Sequence, residues 1–169
     1  MASPFEVIIG RIETLDVDAV VNAALPALTP SDGIDAALRS AAGPDLTAHT
    51  DGMAPIAIGD AVLTPGFKLP ARHIIHVAPP VWSEGEEGAK VAALAHCYIN
   101  AIKLAQTQGL AAIAFPCLGN DSFGWPRGFA CAIAIAACEQ ALEAAPGVTR
   151  VVFCCTNGDD AQLYRAGLR

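Results

Sequence analysis

Two aspartates three residues apart, Asp32 and Asp35, stand where a short apolar run gives way to a helical pattern, in VVNAALPALTPSDGIDAALRSAAG from Val20 to Gly43. Carboxylates so placed can cap a helix and complement its dipole, or one of them can act as a general base on a water. A strand that passes through a short loop into a helix also aims free backbone N–H groups at whatever lies above the strand. That end suits an anion, whereas Asp32 brings a negative charge of its own. We read Asp32 as the helix N-cap, which would occupy the end that a diphosphate needs.

A second polar loop, Gly119-Asn120-Asp121-Ser122, follows the apolar run ending at Phe115 and leads into Phe123-Gly124-Trp125-Pro126. Asn-Asp-Ser is turn chemistry as readily as ligand chemistry. Cys117 lies just ahead of it, where a nucleophile could sit, but has no neighbouring histidine and reads as a core thiol. His73 and His76, three apart on one strand, point to opposite faces and form no metal pair; His76 reads as a hydrogen-bonded core residue. The six cysteines contain no C-x-x-C pair and no histidine at a ligand spacing, so no metal site is expected. They suit a reducing, cytoplasmic compartment.

The elements that would position these residues follow from the apolar pattern. Strands are expected at Phe5 to Ile9, Ala19 to Asn22, Ile58 to Leu63, His73 to Val77, Ala111 to Phe115 and Val151 to Cys155. Helices are expected at Gly33 to Ala42, onward to about Thr50, Glu87 to Gly109, Pro126 to Ala144 and Ala161 to Gly167. Alternating strands and helices, several strands apolar throughout, imply an α/β fold with the sheet covered on both faces. In such folds ligands lie beyond the carboxyl ends of strands. The loops Leu25 to Gly33 and Cys117 to Trp125 are therefore the places to look.

Composition narrows the function. The chain has 169 residues, 53% of them apolar and only 6% aromatic, enough for one domain over residues 1–169 with a core of Ala, Val, Ile and Leu. Ten basic against seventeen acidic residues give a net charge of −7, with no basic run, which argues against nucleic acid as a partner. The opening residues MASPFEVIIGRIE have neither the charge pattern nor the apolar run of a signal peptide or membrane span.

Four stretches, GRIETLDVDAVVNAA, GIDAALRSAAGPDL, GDAVLTPGFKLPARHIIHVAPPVW and LAAIAFPCLGNDSFGWP, resemble the macrodomain family in family order across nearly the whole chain. The resemblance implies a three-layer α/β/α sandwich with a central mixed, largely parallel sheet, and a site for ADP-ribose. It places ligand contacts at Arg11, Ile12, Asn22, Leu25, Ser31, Asp32, Gly33, Ile34, Gly119, Asn120, Asp121, Ser122, Phe123, Gly124, Trp125, Thr156 and Asn157, and a catalytic aspartate at Asp35.

Several of these positions depart from the family pattern. Arg11 stands where family members carry an aspartate that accepts from the adenine amino group, and arginine has no acceptor. Arg11 instead reads as a salt-bridging or solvated side chain. Leu25 replaces the asparagine of hydrolytic members, and Pro30-Ser31-Asp32 replaces a glycine run. Gly119 to Ser122 replaces Ser-Thr-Gly, while the backbone-shaping Phe123-Gly124-Trp125-Pro126 is kept. Thr156 or Asn157 replaces an aromatic that packs on adenine. A carboxylate about 5 Å from a phosphate costs about 3 kcal/mol at an effective dielectric of about 20, and the lost adenine acceptor about 1 kcal/mol.

The expectation is a divergent macrodomain that binds ADP-ribose or a related nucleotide-like ligand weakly or with altered specificity, without efficient hydrolysis and without a cofactor. One alternative is an ADP-ribosyl or O-acetyl-ADP-ribose hydrolase using Asp35, with ADP-ribosylated protein as a partner. Another is a vestigial pocket on a domain that works through protein contacts. Membrane partners are not expected, and the oligomeric state is open.

Overall fold

The computed structural model describes residues 2–169. Six strands form one sheet: β1 (Phe5–Ile9), β2 (Ala19–Ala23), β3 (Ala61–Pro65), β4 (His73–Val77), β5 (Ala112–Phe115) and β6 (Arg150–Cys155), in the order β1-β6-β5-β2-β4-β3. Only β3 runs antiparallel to its neighbour; the other pairs are parallel. Five helices connect them: α1 (Ile34–Ala42), α2 (Asp45–Asp51), α3 (Glu87–Thr107), α4 (Arg127–Glu143) and α5 (Gly158–Gly167).

Strand alternation divides the core into two layers. Ala19, Val21, Ile75, Val77, Ile113, Phe115, Val151 and Phe153 face α3, α4 and α5, whereas Val20, Ile74, Ala114 and Val152 face Leu38 and Ala42 of α1 and Leu46 of α2. Helices thus cover both faces, and the chain is the α/β/α sandwich that the sequence implied. Among the described residues no helix is long and apolar enough to cross a membrane.

The consequence for function lies between β2 and β5. These strands are parallel neighbours, but the loop from β2 leads to α1 on one face and the loop from β5 leads to α4 on the other. Their loops diverge and leave a crevice, the switch point at which open α/β sheets take ligands.

Element boundaries agree with the sequence reading to within a few residues, with two informative differences. The second is long: α5 begins at Gly158 rather than Ala161, because the side chain of Asn157 accepts from the Asp160 backbone N–H and caps the helix three residues earlier. The first concerns Asp32. The N-cap position of α1 is Gly33, at φ +65 and ψ −127, and no side chain caps the helix. That positive-φ conformation, which glycine adopts without strain, occupies the N-cap position, and Asp32 makes no capping hydrogen bond, so Asp32 is not the cap.

Candidate functional site

Two adjoining cavities of about 390 and 380 Å³ occupy the crevice and share Ile34, Pro116, Cys117, Asn120 and Asp121 as walls. The first is completed by Gly124, Trp125, Arg127, Cys154, Thr156, Asn157 and Asp160. The second is completed by Ala23, Asp32, Gly33, Gly119, Ser122 and Phe123. Twelve of the expected contact residues, Asp32, Gly33, Ile34, the run Gly119 to Trp125, Thr156 and Asn157, are brought together here.

Arg11, Ile12, Asn22, Leu25, Ser31 and Asp35 are not among the walls. Arg11 is largely exposed and donates from Nε to Glu13 Oε1 at 2.7 Å, a structural ion pair with a half-turn neighbour. Ile12 is core. Leu25 is 38% exposed, an apolar side chain in the loop that follows β2. Ser31 donates its backbone N–H to Asp35 Oδ2 at 2.8 Å.

Asp35 is fully buried. Its Oδ1 accepts from Asn22 Nδ2 at 2.7 Å, and its Oδ2 accepts from the Ser31 N–H and from Arg39 Nε at 2.9 Å. Arg39 in turn reaches Thr47, Thr50 and the Leu28 carbonyl. Asn22 also donates to His76 Nδ1 at 3.0 Å, which leaves His76 Nε2–H to donate to Thr64 Oγ1 at 3.0 Å. The carboxylate is thus one link in a buried chain from β3 to α2. Burial, with the Arg39 charge nearby, pushes the His76 pKa down to about 4, which fits the neutral core histidine expected from sequence.

The far wall is ordered by a residue the sequence reading passed over. Asp160, almost fully buried, accepts from Arg127 Nε, Asn120 Nδ2 at 3.1 Å and Asn157 Nδ2 at 3.0 Å, and Arg127 Nη2 donates to Asn157 Oδ1 at 3.0 Å. One carboxylate so ties the second loop, α4 and the start of α5 together. The bond to Asp160 holds the Arg127 pKa above its ordinary value. The Asn157-x-x-Asp160 spacing was a readable cap signature; nothing local pointed from Asn120 to Asp160, forty positions away.

The charges of the crevice oppose one another. Asp32 is exposed, and Asp121, at φ +57, leans across so that its Oδ2 lies 3.3 Å from where a Cβ on Gly33 would sit. A substituent at Gly33 would press on that carboxylate. Arg127, about half exposed, is the one basic wall residue. Trp125, buried, donates Nε1–H to the Pro80 carbonyl at 2.8 Å and packs on Trp82, which fixes the second loop's exit. Among the described residues no group of three or more His, Cys, Asp or Glu could hold a metal ion.

Comparison with known proteins agrees with this geometry. The family model for the Macro domain matches residues 21–134. A macro domain-containing protein of Mesorhizobium japonicum is 39% identical over 92% of this chain and 88% of its own length. A protein of Enterobacter named O-acetyl-ADP-ribose deacetylase is 36% identical over 98% of this chain and 93% of its own. Among solved structures, the Oceanobacillus iheyensis macrodomain with ADP superposes with a TM-score of 0.90 at 30% identity, covering 97% of this chain and 89% of that one. The Trypanosoma brucei macrodomain in complex with ADP-ribose gives 0.91 at 28%, covering 98% and 69%.

Proposed function

The chain belongs to the macro domain family, and on that premise we propose that its crevice binds ADP-ribose, or a related nucleotide-like ligand, weakly or with altered specificity and without efficient hydrolysis. The observation that carries this reading is the burial of Asp35 with both oxygens engaged. A carboxylate that is fully buried, already accepts three hydrogen bonds and lines neither cavity is not aimed at a substrate water. Leu25 offers no amide to orient one.

Binding itself is supported by the open end of α1. Without a side-chain cap, its first N–H groups are free for a phosphate. Asp32 and Asp121 work against that attraction from the same cavity wall. Each is solvent-exposed, so screening reduces the bare 3 kcal/mol of repulsion to roughly one decade of affinity apiece.

Isothermal titration with ADP-ribose tests the reading: the expected dissociation constant is well above the low micromolar range, and Asp121→Asn tightens it roughly tenfold. Low-micromolar binding by the wild type, or no gain in the variant, would overturn the proposed weakness. A hydrolase is the second reading, favoured by the relatives named O-acetyl-ADP-ribose deacetylase at 36% and 37% identity. Release of acetate from O-acetyl-ADP-ribose at the rate of a buffer blank is expected. A clear rate, lost in Asp35→Asn protein that keeps its near-ultraviolet circular dichroism, would establish the second reading in its place.

A further inference from the structure

Cys117 and Cys155 meet at the carboxyl ends of β5 and β6, with their sulfurs 3.7 Å apart and the Cys117 S–H directed at Cys155 Sγ. The register of the sheet brings the ends of these strands side by side. Phe115 lies opposite Phe153 on these parallel strands, and two further residues along each chain return to the same face. Cys155 belongs to the core layer of Phe115 and Phe153, and Cys117 packs against that layer; Cys154, one residue off, sits in the opposite layer. Of the six free cysteines Cys117 is the most exposed, and it lines both cavities, whereas Cys154 lines one.

Cys117 lies two residues beyond the end of β5 and Cys155 ends β6, and a disulfide bridges Cα atoms roughly 4.4 to 6.8 Å apart. Bridging them closes the sulfurs from 3.7 Å to about 2 Å. We propose that Cys117 and Cys155 form a hydroperoxide-oxidisable thiol pair whose disulfide closes beneath the floor of the crevice. The oxidation requires no ligand and stands independently of the nucleotide reading.

The step balances with a hydroperoxide as the oxidant. The contact with Cys155 and burial hold the Cys117 thiol above its ordinary range, so the step begins with loss of the Cys117 proton to hydroxide in the crevice. Cys117 sulfur then attacks a peroxide oxygen, the O–O bond breaks, and hydroxide leaves, giving a sulfenic acid at Cys117. Cys155 sulfur attacks Cys117 Sγ, the S–O bond breaks, and the departing hydroxide takes the Cys155 proton as water. The two sulfurs lose two electrons, which reduce the peroxide. Cys117 reacts first because it faces the crevice, and Cys155 resolves it from within the core.

Exposure of the whole chain to a few equivalents of hydrogen peroxide, alkylation under denaturing conditions and non-reducing peptide mapping test the proposal. The expected product is about 2 Da lighter before alkylation, joins the Cys117 and Cys155 peptides, keeps the other four of six thiols alkylatable and reverts with dithiothreitol. In Cys155→Ser the unresolved sulfenic acid at Cys117 persists and is captured by dimedone. Six alkylatable thiols after peroxide, or a bridge joining any other pair such as Cys154 with Cys155, would overturn it. The wild-type map decides alone if the buried serine prevents folding.

Discussion

His76 carries the clearest pH signature of any single residue. It is fully buried between Asn22 Nδ2 and Thr64 Oγ1, and its Nδ1 must stay unprotonated to accept from the amide. Its folded pKa of about 4 lies below the ordinary 6.5. Between those values the unfolded chain binds the extra proton, so stability is complete above pH 6.5, falls as the pH drops towards 4, and levels off below. The full span is about 3 kcal/mol. Urea midpoints measured from pH 7.5 to 4 should show this slope in the wild type and a flatter one in His76→Gln. Parallel slopes would mean that other groups set the acid sensitivity. Asn22 holds the arrangement from the strand side, since turning its amide over would set Oδ1 against the Asp35 carboxylate.

At the scale of elements, α1 is attached to β2 and α2 both by its apolar face and by Asp35 and Arg39. Leu38 and Ala42 bury the helix, but Asp35 fixes its rotation by binding Asn22 of β2, the Ser31 N–H of the preceding loop and Arg39 one turn on. Asp35→Asn leaves the nearly buried Arg39 without its counter-charge, which should cost about 3 to 5 kcal/mol. Equilibrium urea unfolding reads this directly, and a loss below about 1 kcal/mol would show that α1 does not depend on the pair. The strands and the first four helices were legible in sequence because their apolar runs are bounded by Gly, Pro or polar clusters. The loops that line the crevice were legible as strand-to-helix connections. The α1 cap was misread because an aspartate before a helix usually caps it, while the positive φ of Gly33 leaves no trace in the apolar pattern. The tethers on Asp160 were invisible for a different reason: they join residues 33 and 40 positions apart that only the sheet order brings together.

For the molecule as a whole, the acidic surplus and the crevice act in the same direction. The net charge is −7, and the walls carry Asp32 and Asp121 against Arg127, whose charge is largely answered by Asp160. A diphosphate therefore approaches a repulsive field and is attracted only at close range by the uncapped end of α1. Salt screens the first effect far more than the second, because the Debye length shortens from about 30 Å at 0.01 M to about 10 Å at 0.1 M, still longer than a hydrogen bond. ADP-ribose affinity should accordingly rise severalfold as sodium chloride increases over that range, the reverse of a site built on basic side chains. Titration calorimetry at a series of salt concentrations measures the slope, and Asp121→Asn should reduce it by removing one of the two exposed carboxylates. Affinity that falls with salt would mean that Arg127 and the helix end govern approach as well as contact, and that the carboxylates at the mouth do not face the ligand's path.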